Sequence, residues 1–247
     1  MVDYIQLAAG IAGFGPAMAL LYFTLRNYTY PKIEKPFFDD RKLFAFFALG
    51  VVLGMLIWAF ENWGQLISSS YTILLLIMGF ALMEELMKLV ILNFPRFQKK
   101  VDTAFYGLSM GLGIAATYTF ASVYVFLINP DFGGKPQVVD VAAASMLGVL
   151  FVLLHGSTTT LIGIGVARGD VNGYFPEALL IHIAFGLLYE SFYAGILSEP
   201  WNLIGLVGAA AVAFYGYRKI HTLSLPVLIQ DAKRLSQKAE QKKKMAA

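Results

Sequence analysis

The sequence predicts an all-α polytopic membrane bundle of about seven transmembrane helices, with the N-terminus outside and the C-terminus in the cytoplasm. Three observations carry that prediction. Of the 247 residues only 14% are charged and 58% are hydrophobic, where a soluble domain usually carries about 25% charged residues. Seven apolar runs are long enough to cross a bilayer. Basic residues gather in alternate loops between those runs.

The runs lie at 4–25, 43–61, 70–92, 103–128, 140–167, 176–198 and 201–218. No Lys or Arg occurs in the first 25 residues, so the charged n-region of a cleavable signal peptide is missing and the first run reads as a permanent span. The breaks hold turn residues: Tyr30-Pro31-Lys32, Asn93-Phe94-Pro95, Asn129-Pro130-Asp131, Gly169-Asp170 and Glu199-Pro200. The first loop carries Arg26, Lys32, Lys35, Arg41 and Lys42, the third Arg96, Lys99 and Lys100, and the fifth Arg168. The second and sixth loops carry no basic residue, and the fourth only Lys135. That alternation sets the orientation. Residues 1–218 read as one membrane domain and 219–247 as a basic cytoplasmic tail, a solvated end with anionic lipid heads as its alternative contact. Nothing beyond its charge suggests nucleic acid. With no Cys in the chain, disulfides and thiolate chemistry are excluded.

The third run contains GFALMEELMKLVIL, residues 79–92, in which Glu84, Glu85 and Lys88 interrupt an apolar helix. A charge at mid-bilayer costs about 2.5–3.5 kcal/mol on insertion scales. Lys88 follows Glu84 by four residues and Glu85 by three, so it reaches either carboxylate on one helix face. Two carboxylates and one ammonium do not balance, and a proton must be shared or another cation must be near. His155 interrupts the fifth run and His182 the sixth. Counted from the cytoplasmic ends, the two glutamates lie about 12–14 Å deep, His182 about 9–12 Å and His155 nearer 20 Å, so all can meet in one layer. A carboxylate can act there as general base for water, and imidazoles can stabilise an oxyanion or hold a divalent metal. Glu190, further along the sixth run, reads as a secondary polar group lining a cavity. Glu61 and Asn62 read as a solvated outer end of the second run, and Asp102 as a helix N-cap.

These residues resemble the EExxK motif of PrsW-type intramembrane proteases, relatives of the CAAX-protease and bacteriocin-processing clan. The likeness extends to the glycine segment, at Asp102, Gly107, Gly111, Gly113 and Ala115, and to two later histidines at the positions of His155 and His182. The chain departs from the family at Tyr118-Thr119, where Glu-Asn is usual, and at Gly186, where Asn or Asp is common. The FGPA opening, Phe14 to Ala17, and the GLS-x-G segment, Gly107 to Gly111, also resemble the anterior-pharynx-defective subunit of gamma-secretase.

The resemblance implies a membrane-embedded endopeptidase of the plasma membrane that cleaves a membrane-protein substrate near the cytoplasmic side. Glu84 or Glu85 would activate water, the other with Lys88 would tune it, and His155 and His182 would bind the oxyanion. With Glu84, the two histidines would alternatively hold a divalent metal such as zinc. The second expectation is a catalytically silent scaffold that binds and stabilises other membrane proteins through its glycine-rich helices.

Overall fold

The computed structural model describes residues 4–33, 36–67, 72–128, 137–193 and 201–246. Those residues are all-helical, with no strand among them: α1 (Tyr4–Leu25), α2 (Asp40–Ile67), α3 (Ile73–Leu92), α4 (Asp102–Leu127), α5 (Val138–Arg168), α6 (Val171–Tyr193), α7 (Asn202–Lys219) and α8 (Leu225–Ala246). The predicted breaks at Asn129-Pro130-Asp131 and Glu199-Pro200, and the basic residues Lys35 and Lys135, lie outside the described residues. Six helices are long and apolar enough to cross a bilayer, and the chain is an integral membrane protein. The remaining bundle helix, α3, is 20 residues long, about 30 Å, and its three charges alone set it apart.

The loops after α1, α3 and α5 meet at one end of the bundle. Lys99 donates its backbone N–H to Val166 (3.1 Å), the Asp39 N–H reaches the Tyr106 hydroxyl (3.3 Å), and Arg168 pairs with Asp231 of α8 (2.6 Å). We call this the basic end. Asp39 caps α2 through the backbone N–H of Arg41. Gly169, at φ +72°, closes α5, and Asp170 Oδ1 accepts the N–H of Gly173 to open α6. This helix begins five residues before the sequence suggests: the Asp170 cap starts it at Val171, and Pro176 falls in its second turn. Asp102 is not an N-cap: Val101 holds that position without a side-chain bond, and Thr103 instead donates to the Phe97 carbonyl (2.6 Å).

Helix α4 is the axis, packed by α1, α2 and α5 and buried from Thr103 through Thr117. Its small residues make that packing possible. A Cβ on Gly107 would stand 2.6 Å from the Thr159 carbonyl oxygen of α5, and one on Gly113 3.0 Å from Gly50 Cα of α2. Gly111 faces the His155 carbonyl, so its missing side chain sets the height of that histidine. Helix α3 packs against α5 and α6 and barely touches α2 and α4. The C-terminal segment is not wholly solvated. α7 runs through a wider π-helical turn at Ile220–Ser224 into α8, whose Leu225, Leu228 and Ile229 are buried.

Gly111→Ala should lower the thermal unfolding midpoint of the detergent-solubilised protein, by the equivalent of about 1–3 kcal/mol of overpacking. Gly79→Ala, on α3 with nothing within 4 Å of the added methyl, should leave it unchanged or raise it.

Candidate active site in the membrane core

Helical spacing on α3 brings Glu84, Glu85 and Lys88 to one side, and all three are at most 1% exposed. The α5–α6 hairpin closes over them with His155 and His182, also buried. All five residues expected of the site therefore converge. Lys88 Nζ donates to Glu85 Oε1 at 2.6 Å and lies 3.8 Å from Glu84 Oε2. His182 Nδ1 meets Glu85 Oε1 at 2.6 Å, and its Nε2 lies 3.7 Å from Glu84 Oε1. His155 Nδ1 lies 3.3 Å from Lys88 Nζ and 3.6 Å from Glu84 Oε2. The two imidazoles stand nearly perpendicular, with centroids 5.2 Å apart.

Hydrogen-bond chemistry assigns the protons. An ammonium only donates, so His155 Nδ1 accepts from Lys88 and a neutral His155 ring carries its proton on Nε2. An ionised Glu85 only accepts, so His182 donates from Nδ1. Glu85 Oε1 thus receives two charge-assisted bonds, which hold it in place. Each glutamate keeps an Oε2 that is buried without a hydrogen-bond partner. That of Glu84 lies 3.6 Å from His155 Nδ1, whose one lone pair Lys88 already holds, so a proton or a water has to satisfy it.

A cavity of about 90 Å³ begins at this point. Glu84, His155 and His182 line it, whereas Glu85 and Lys88 do not. The sequence leaves open which glutamate meets water; Glu84 is the one that faces the cavity, and Glu85 and Lys88 stand behind as its support. The cavity runs towards lower numbers on α3 and α5 (Ile73, Phe151) and higher numbers on α6 (Tyr189, Glu190). In this antiparallel arrangement all of these directions lead away from the basic end.

Residues further along the cavity refine the sequence reading. Glu190 lines it, as expected. Glu61, expected at a solvated helix end, is half-buried, lines the cavity, and accepts a hydrogen bond from the Tyr118 hydroxyl at 2.6 Å. The reason is that α2 continues to Ile67, a turn and a half beyond the apolar run. Tyr118, at the position that departs from the family pattern, sets its ring 5.9 Å from that of His155. Gly186, the second departure, also lines the cavity.

The donor set of Glu84, His155 and His182 fits a divalent metal such as zinc. Their ligand atoms lie within 4.8 Å of one another, one carboxylate and two imidazoles is a known catalytic zinc set, and Glu84 Oε2 is free to ligate. Glu85 already orients His182 through the other ring nitrogen, as supporting carboxylates do for metal-bound histidines.

Lys88→Met should destabilise the protein by about 3–5 kcal/mol, because it leaves a buried carboxylate without its cation. Lys88→Met combined with Glu85→Gln should recover part of that loss; chemical unfolding of the single and double variants measures both. No family model, curated protein or solved structure matches the chain, so the PrsW likeness rests on the residues quoted above.

Proposed function

We propose that the chain is a membrane-embedded endopeptidase of PrsW type, with seven spans, the basic end in the cytoplasm and residence in the cell membrane. The observation that carries this reading is the convergence of Glu84, His155 and His182 on one cavity, with Glu85 and Lys88 fastening them from behind. A water held by Glu84 gives its proton to the carboxylate as its oxygen attacks the peptide carbonyl carbon. His155 Nε2–H donates to the oxyanion that forms. Glu84 then returns the proton to the leaving amine nitrogen, the C–N bond breaks, and the carboxylate is restored. His182, held by Glu85, supports Glu84 from the opposite side. A bound zinc would be held by Glu84, His155 and His182, and would lower the pKa of water and polarise the carbonyl.

The cavity leads from Glu84 away from the basic end, so a substrate enters from the outer half and is cleaved at the depth of Glu84, in the half nearer the cytoplasm. The scaffold reading draws less support, because Gly107, Gly111 and Gly113 of α4 are taken up in contacts with α5 and α2.

Purified protein in proteoliposomes, given a single-span membrane substrate, should lose cleavage about 10³-fold or more with Glu84→Gln, His155→Ala and His182→Ala, on the scale of general-base and oxyanion contributions. Unfolding midpoints within a few degrees of wild type separate chemistry from collapse. Undiminished turnover in all three variants would overturn the proposal.

A further inference from the structure

The outer part of the cavity has a chemistry that hydrolysis does not use. Beyond Glu84 and the histidines its walls carry five aromatic rings, Phe80, Tyr118, Phe151, Phe185 and Tyr189, among aliphatic side chains. Set among these rings are two carboxylates, Glu61 and Glu190. Glu190 is 7% exposed, faces the cavity, and has no hydrogen-bond partner among the described residues. Glu61 accepts a bond from a phenol and also lies against the Glu84 carboxyl. Among the described residues no lysine or arginine lines the cavity, and the two site histidines are its only basic side chains. A buried carboxylate without a cation in an apolar, lipid-embedded setting is costly, and aromatic faces with carboxylates form the usual receptacle for an ammonium or guanidinium.

We propose that Glu61 and Glu190, with the surrounding aromatic rings, form a subsite for a basic side chain of the substrate. The proposal rests on the hydrolase reading for the identity of its ligand and names the substrate class: apolar membrane segments that carry a Lys or Arg on their outer side. Geometry sets the spacing. Glu190 follows His182 by eight residues on α6, about 12 Å along the helix. An extended chain covers that distance in about four residues. The basic residue therefore lies about four residues from the scissile bond.

The test separates binding from cleavage. Fluorescent apolar peptides of one sequence, with Lys, Arg, Gln or Glu at a single position, are titrated onto the full chain in nanodiscs of zwitterionic lipid. Wild-type protein should bind the Lys and Arg peptides at least about tenfold tighter than the Gln peptide, the size expected of a desolvated cation on aromatic rings and carboxylates. Glu190→Gln and Glu61→Gln should each shrink that ratio to about threefold or less. Because either variant could shift packing, Glu190→Asp, which keeps the charge, should retain most of the preference. Equal affinity for Lys and Gln peptides in wild type, or a ratio untouched by both Gln variants, would overturn the subsite. Cleavage of the same peptides is read in parallel. Selective binding with no cleavage would overturn the hydrolase and leave the subsite standing; cleavage without charge preference would do the reverse.

Discussion

The fold is arranged around an imbalance of charge. Two carboxylates on α3 enter a medium of low dielectric with one ammonium, and Lys88 can satisfy only part of the demand. Its bond to Glu85 (2.6 Å) leaves Glu84 held by weaker contacts at 3.6–3.8 Å. A buried ion pair adds little net stability, yet breaking one is expensive. The remainder must come from other helices, which is why α3 is tied to α5 and α6 by polar groups while its contacts with α2 and α4 are slight. The asymmetry serves chemistry. Glu85 commits one oxygen to two charge-assisted bonds and does not line the cavity, whereas Glu84 lines it and can meet water.

Small residues do the positioning. The α4 glycines let α5 approach until the His155 carbonyl lies against Gly111, and the histidine's height follows from that contact. The hairpin turn at Gly169 and Asp170 then binds α6 to α5 in a fixed relation. The imidazoles thus reach α3 on one rigid unit, with the rings already perpendicular.

Much of this was legible beforehand, for physical reasons. Charges in an apolar run are expensive, so Glu84, Glu85 and Lys88 identify themselves, and i, i+3 and i, i+4 spacing gives their shared face. Depth counting along rigid helices was enough to bring His155 and His182 into the same layer. What depends on relations between helices was not legible. Glu61 looked solvated because the apolar run stops at it, although the helix does not. Tyr118 had no signal beyond its departure from a family pattern, since a tyrosine in a membrane helix is unremarkable until its hydroxyl finds a carboxylate. The separation of Glu84 from Glu85 required the cavity. Both lie at the same depth, and only the side on which empty space opens distinguishes them.

The order of the elements along the chain also bears on biosynthesis. Synthesis proceeds from the N-terminus, so α3 enters the bilayer with its carboxylates while His155, 67 residues after Lys88, is not yet made. During that interval only Lys88 can neutralise them, and it is near enough to do so within a single helix. The lysine that later braces Glu85 in the finished site thus first serves as the counter-ion that lets α3 cross the translocation machinery into lipid, and the histidines take up their contacts when the α5–α6 hairpin arrives.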